Sequence, residues 1–184
     1  HVVNDAGLIK VRGVNGNFKK SLNAYVYAKD EALDIAILKI DDSLFTSFGR
    51  LPYSISYNQK EPGTEVFVLG YPLISTMGTE IKLANGIISS KSGFMGYANQ
   101  YQITVPIQPG NSGGPMFDMN NNVIGIISSK HKGTDNVSYA IKSSYLKDLL
   151  SEFIINQEQI NGSNSKLEVK VKSYKNFIYL IEIY

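Results

Sequence analysis

The chain contains no cysteine. That excludes disulfides, thiolate nucleophiles and cysteine-ligated metals, while leaving the compartment open, because exported proteins without disulfides are common. Histidine is nearly absent as well, with only His1 and His131 among 184 residues. Two histidines so far apart, with no HExxH pattern and no carboxylate cluster, offer no ligand set for a metal hydrolase. No apolar run approaches the roughly 20 residues that span a bilayer as a helix. No strong charge excess exists either: the formal net charge is +2 and the lysines and arginines are scattered. This balance argues against a nucleic-acid binder, which usually concentrates basic residues. What remains is an ordinary globular composition, 43% hydrophobic and 18% charged, with enough apolar material for a substantial core.

Most of that apolar material falls in short β-rich runs separated by turn residues. They are 8–14, 22–28 and 34–40, then 64–70, 81–90, 101–107, 114–118, 122–129 and 137–142. "MNNN" (119–122) supplies residues that tolerate positive φ and reads as a hairpin turn. Many short strands at regular spacing indicate an all-β sandwich or barrels. Residues 43–63 keep no period and contain two prolines, as expected of a segment crossing between two halves. In 143–155 the positions Tyr145, Leu146, Leu149, Leu150, Phe153 and Ile154 form a helical stripe that Ser143 or Ser144 could cap. Residues 156–165 read as a linker, and 166–184 as two further strands with a turn near Tyr174–Asn176.

The stretch with chemical content is "PGNSGGP" (109–115), which sets a serine among glycines between two strands. Such a loop can be a plain turn. It can also aim the backbone N–H groups of Gly110 and Ser112 at the point that Ser112 Oγ faces, forming an oxyanion hole. A serine nucleophile needs a base, and His1 and His131 are the two candidates. His131 lies in the polar loop "SSKHKGTDN", where an exposed histidine needs no function. The base in turn needs an orienting carboxylate, and Asp34 stands where a polar loop meets an apolar strand.

These motifs together resemble the trypsin-fold serine peptidases, and among them the bacterial HtrA/Deg type. The matching residues are His1-Val2-Val3, Asp34-Ile35-Ala36-Ile37-Leu38, Gly70-Tyr71-Pro72, "NGIISS" (85–90), Pro109 to Gly114, "GIISS" (125–129) and "YAI" (139–141). The order His, Asp, Ser is that of the chymotrypsin type. The resemblance implies two six-stranded antiparallel β-barrels, the first one incomplete, with a C-terminal helix and a short β extension. It divides the chain into a peptidase domain over 1–155 and a linker with a β-hairpin extension over 156–184. Within the domain the first barrel covers about 1–45, the crossing segment about 46–63, the second barrel about 64–142 and the helix about 143–155.

The resemblance implies a serine endopeptidase acting through an acyl-enzyme, with His1 as base, Asp34 as its orienting partner and Ser112 as nucleophile. The oxyanion hole would come from the backbone N–H groups of Gly110, Asn111 and Ser112. A substrate pocket would be walled by Pro106, Ile107, Ile127, Ser128, Ser129, Tyr139 and Ala140. With no carboxylate at the expected pocket base, a small or medium apolar substrate side chain is expected rather than Arg or Lys. Segments 91–100 and 130–136 correspond to loops that order the active site in that family. No metal or cofactor is implied. The implied partners are unfolded or flexible protein and peptide segments, with homo-oligomers common and a periplasmic or cell-envelope location. Nucleic acid is not among these partners.

Three departures qualify the match. The family has strands before the histidine, so the chain is expected to be a fragment cut in front of it, whose activity depends on those strands. Asn111 stands where digestive peptidases carry Asp, so activation by ion pairing to a new N-terminus is not expected. Residues 156–184 are too short for the peptide-binding PDZ domain that often follows. The competing reading is a peptidase-fold module that binds peptides without cleaving them; the intact "GNSGGP" and Asp34 speak against it.

Overall fold

The computed structural model describes residues 1–130, 136–151 and 165–184. Eleven strands run through the described chain in two sheets. The first sheet holds β1 (Ile9–Arg12), β2 (Ser21–Asp30) and β3 (Ile35–Ile40), with β11 (Leu180–Ile183) added beside β1. The second holds β5 (Glu65–Gly70), β6 (Lys82–Ser90), β7 (Gln100–Ile103), β8 (Pro115–Asp118), β9 (Asn122–Lys130) and β10 (Ser138–Lys142). Its order is β10-β7-β6-β5-β8-β9, and β9 pairs with β10 again, so six antiparallel strands close into a barrel. The short β4 (Ser54–Ile55), inside the crossing segment, pairs in parallel with β9. The architecture is therefore all-β, with one closed six-stranded barrel and one incomplete sheet. Closure removes the free edges that an open sheet exposes.

The barrel interior is filled by Val66, Val68, Ile88, Tyr101, Ile103, Val105, Ile107, Met116, Ile124, Ile127 and Ala140. On β5 the intervening Phe67 and Leu69 face outward, yet they too are fully buried, because the C-terminal residues cover that side. This double burial explains why "VFVLG" is continuously apolar instead of alternating. The turn at 119–121 joins β8 to β9 with Asn121 at φ 66°, as the run of asparagines suggests.

Two readings of the sequence need correction. Residues 166–184 do not form two strands: Leu167–Tyr174 is a helix, followed by a 3-10 turn and the single strand β11. The alternation in "LEVKVK" mimics a strand, but Leu167, Val171 and Tyr174 recur at helical spacing and join the apolar cluster around Phe67 and Phe117, with the Tyr174 ring against both phenylalanines. Secondly, Ser143 does not cap a helix with its side chain. The segment opens as a 3-10 turn (Ser143–Leu146) with no side-chain cap, and Ser143 Oγ donates to the carbonyl of Ser56. A short helix follows over Lys147–Leu150. Residues 152–155 of the expected helix and almost all of the expected linker, 156–164, lie outside the described residues.

The C-terminal helix is fixed by a buried polar cluster at the β8–β9 turn. Lys170 Nζ donates to the Met119 carbonyl and to Asn121 Oδ1 (2.7 Å), and Tyr174 Oη donates to the same Asn121 oxygen (2.8 Å). Asp118, only 2% exposed, accepts from the Asn122 amide and backbone and from Lys60 Nζ at 2.9 Å. Burial alone would raise its pKa, but these hydrogen bonds and the Lys60 charge outweigh burial and hold it below the usual carboxylate range. Its stabilisation is therefore complete above the unfolded value of about 3.9 and is lost as pH falls through the lower folded value. Asp118→Asn should lower stability by about 2 kcal/mol at neutral pH. That deficit should shrink below about pH 4, read as converging urea midpoints for the two proteins.

Candidate active site

Asp34 sits at the start of β3, in a turn built by Asp30. The Asp30 carboxylate accepts from the Leu33 N–H (2.9 Å), and the Asp34 N–H reaches back to the Glu31 carbonyl (3.3 Å). This turn leaves Asp34 at φ 56°, a left-handed conformation that Asp tolerates better than most residues. The next residue, Ile35, is buried against Ile141 of the closed barrel and Leu146 of the 3-10 turn, with Leu33, Ile126, Leu149 and Leu150 around them. Residues 143–150 thus pin the first strand of the site to the second sheet.

Both Asp34 oxygens serve His1. Oδ2 lies 2.5 Å from His1 Nδ1, and Oδ1 accepts from the His1 main-chain nitrogen. A carboxylate facing Nδ1 favours the tautomer with the proton there, which leaves Nε2 as the basic nitrogen. The two side chains are half-exposed, so the pair keeps contact with solvent.

The serine loop is held by β9. Gly113 donates to Ile127 O (2.8 Å) and Ile127 donates to Gly114 O (2.9 Å), so Ser112 is presented from a locked turn. Gly110 adopts φ 98° and Gly113 φ 80°, conformations that require glycine at low cost. Ser112 Oγ donates to the Ser128 carbonyl at 3.0 Å, and no bond joins it to His1 among the described residues. Among the described residues the Gly110 and Ser112 N–H groups have no bonding partner, whereas Asn111 donates to the Gln108 carbonyl (3.0 Å). Asn111 therefore spends its N–H on the turn, leaving Gly110 and Ser112 as the free donors.

His1, Asp34, Ser112 and Gly110 line one cavity of about 570 Å³ between the two sheets. Its walls are mostly apolar and include Val2, Val3, Leu38 and Ile126, together with Phe177–Ile181 of the C-terminal segment. No local pattern in the sequence points to that last wall. Of the residues expected to wall a substrate pocket, Ile127 lines this cavity. Ile107, Ile127 and Ala140 pack in the barrel core, Pro106 is exposed, and Tyr139 is buried with its ring 6.0 Å from Phe94. Ser128 contributes its carbonyl to Ser112, and the backbone of Ser129 pairs with Tyr139. The Ser129 side chain, His131 and most of the 130–136 loop lie outside the described residues.

A closed barrel and an open sheet flanking a serine loop, with an aspartate-bound histidine on the same cavity, call for comparison with known proteins. Residues 1–126 match the model of the trypsin-like peptidase domain. The chain belongs to that family. Its curated relatives include a serine protease Do-like HtrA of Lactobacillus helveticus, 30% identical across 98% of this chain and 48% of the relative. Another, from Hahella chejuensis, is named a DegP-like periplasmic serine endoprotease; it is 31% identical across 83% of this chain and 31% of its own length. The chain thus spans less than half of either relative. Among solved structures, the serine endoprotease of Yersinia pestis superposes with a TM-score of 0.62 at 25% identity, covering 83% of this chain and 51% of that one. The chain is accordingly a trypsin-like domain with relatives in the HtrA/DegP serine proteases.

Proposed function

We propose that this trypsin-like domain is the catalytic part of a serine endopeptidase. Ser112 Oγ attacks a peptide carbonyl while His1 Nε2 takes its proton; the imidazolium then protonates the leaving amine. Asp34 holds the tautomer and stabilises the positive charge. The tetrahedral oxyanion is received by the N–H groups of Gly110 and Ser112, a contribution typically worth about 3 kcal/mol per donor. Water, activated by the same histidine, hydrolyses the acyl-enzyme and regenerates Ser112.

The observation that carries this reading is the Asp34 carboxylate gripping His1 at Nδ1 and at the main chain, on the cavity that Ser112 also lines. The free Gly110 and Ser112 donors support it. By kinship with the HtrA and DegP-like relatives, the substrates are flexible or unfolded protein segments and the place of action is the cell envelope. A small or medium apolar residue before the scissile bond fits the apolar side chains, Ile126 and Ile127 among them, that line the cavity beside Ser112.

The full-length protein should cleave an unfolded substrate such as β-casein. Ser112→Ala should reduce the rate at least about 10⁴-fold while leaving the fold intact by circular dichroism. Undiminished cleavage by the alanine protein would remove Ser112 from the nucleophile role.

A further inference from the structure

We infer that Tyr71 is a positioning residue that couples the C-terminal segment to the serine loop, keeping the two sheets in the register that brings His1 to Ser112; its catalytic consequence rests on the function proposed above.

Tyr71 touches the serine loop through its main chain. A methyl group placed on Gly110 would sit 2.6 Å from the Tyr71 carbonyl oxygen, so that oxygen lies directly against the loop backbone. On either side, Gly70 lies against Asn111 Oδ1, and the Leu73 N–H donates to the Pro109 carbonyl at 3.0 Å. The segment Gly70–Leu73 therefore forms the bed on which residues 109–111 rest. The Tyr71 side chain runs the other way. Its ring is 5% exposed and meets the Phe18 ring edge-on at 5.2 Å, and its hydroxyl donates to the Ile178 carbonyl at 3.2 Å.

Ile178 is the midpoint of a strap anchored at both ends. Upstream, the helix Leu167–Tyr174 is fixed to the closed barrel through Lys170, Tyr174 and Asn121. Downstream, β11 pairs with β1 from Ile9↔Ile183 to Arg12↔Leu180, reinforced by Arg12, whose Nε and guanidinium NH2 both donate to Glu182. The Tyr184 carbonyl accepts from the N–H groups of Gly7 and Leu8 at 3.0 Å each. The strap thus belongs to the open sheet at one end and the closed barrel at the other. Tyr71 ties its middle to the backbone bearing the oxyanion donors. Residues 177–181 also wall the cavity shared by His1, Asp34 and Ser112, so a shift of the strap is felt there.

Tyr71→Phe keeps the buried ring and removes the hydroxyl, and with it the bond to the Ile178 carbonyl. Amide hydrogen exchange in peptides covering 109–114 and 177–183 should accelerate together, by about five- to tenfold, in the full-length protein. Turnover should fall about tenfold in kcat with KM within about twofold, because misplacement of the donors affects the transition state more than binding. Tyr101→Phe is the control: it removes a buried hydroxyl that accepts from the Lys60 N–H at 2.7 Å and bonds neither the strap nor the serine loop, so exchange in 109–114 should stay at the wild-type rate. Wild-type exchange in 109–114 of Tyr71→Phe, or equal acceleration by Tyr101→Phe, overturns the coupling. The exchange reading needs no turnover, so it stands or falls apart from the Ser112→Ala result.

Discussion

Asp34→Asn is expected to lower kcat by about 10⁴-fold with little change in KM. The two Asp34 oxygens both act as acceptors, one from His1 Nδ1 and one from the His1 main chain. An asparagine of the same shape has one oxygen and one NH2, so a donor must face one of these two donors. If the amide NH2 turns to the ring, Nδ1 has to become the acceptor and the proton moves to Nε2. The nitrogen that should take the Ser112 proton is then already protonated, and general-base assistance is lost. The substitution is clean in its backbone because Asn, like Asp, tolerates the φ of 56° at this position. Steady-state kinetics on a peptide substrate, beside thermal melts of both proteins, check it. A loss of less than about tenfold, with an unchanged melt, would show that Asp34 does not govern the histidine.

Gly110→Ala should also lower turnover strongly, for a different reason. The added Cβ would meet the Tyr71 carbonyl at 2.6 Å and Pro72 Cα at 3.1 Å, both backbone atoms that cannot swing aside. It would also force alanine to φ 98°, outside the range that L-residues occupy readily. The loop must rearrange, and with it the Gly110 N–H. Loss of one oxyanion donor typically costs about 10²- to 10³-fold in kcat, which is the expected drop. Gly113→Ala supplies the contrast. It carries φ 80°, but its Cβ would find only Val2 Cγ2, at an ordinary 3.8 Å. Strain without collision should cost stability of about 1 kcal/mol and a smaller share of kcat. Equal losses in the two variants would mean that the bed formed by Tyr71 does not matter.

The contrast between these glycines also shows where the sequence was informative. Strands such as "AYVYA" and "NVIGIISS" were legible because alternation and turn residues are local properties of the chain. Asp34 was legible as a carboxylate at a strand's start, since the loop-to-strand change of composition marks that point. The helix Leu167–Tyr174 was obscured because "LEVKVK" fits a period of two as well as one of four, and only packing on Phe67 and Phe117 decides. Ser143 looked like a cap, yet its hydroxyl found the Ser56 carbonyl, 87 residues away in sequence. The tie between Tyr71 and Ile178 spans 107 residues. Such contacts follow from tertiary geometry, and no local pattern carries them. The barrel interior likewise absorbed Ile107 and Ala140, because a closed barrel buries alternate residues whether or not a pocket lies nearby.

If His1, Asp34 and Ser112 form one catalytic unit, the most direct measurement is covalent capture of the nucleophile. The full-length protein is treated with a fluorophosphonate and the adduct is mapped by peptide mass spectrometry. A single phosphonylated residue at Ser112, formed much more slowly in Asp34→Asn, is the predicted result. A folded protein that takes the label on another serine, or reacts at Ser112 no faster with Asp34 than without it, would contradict the assignment.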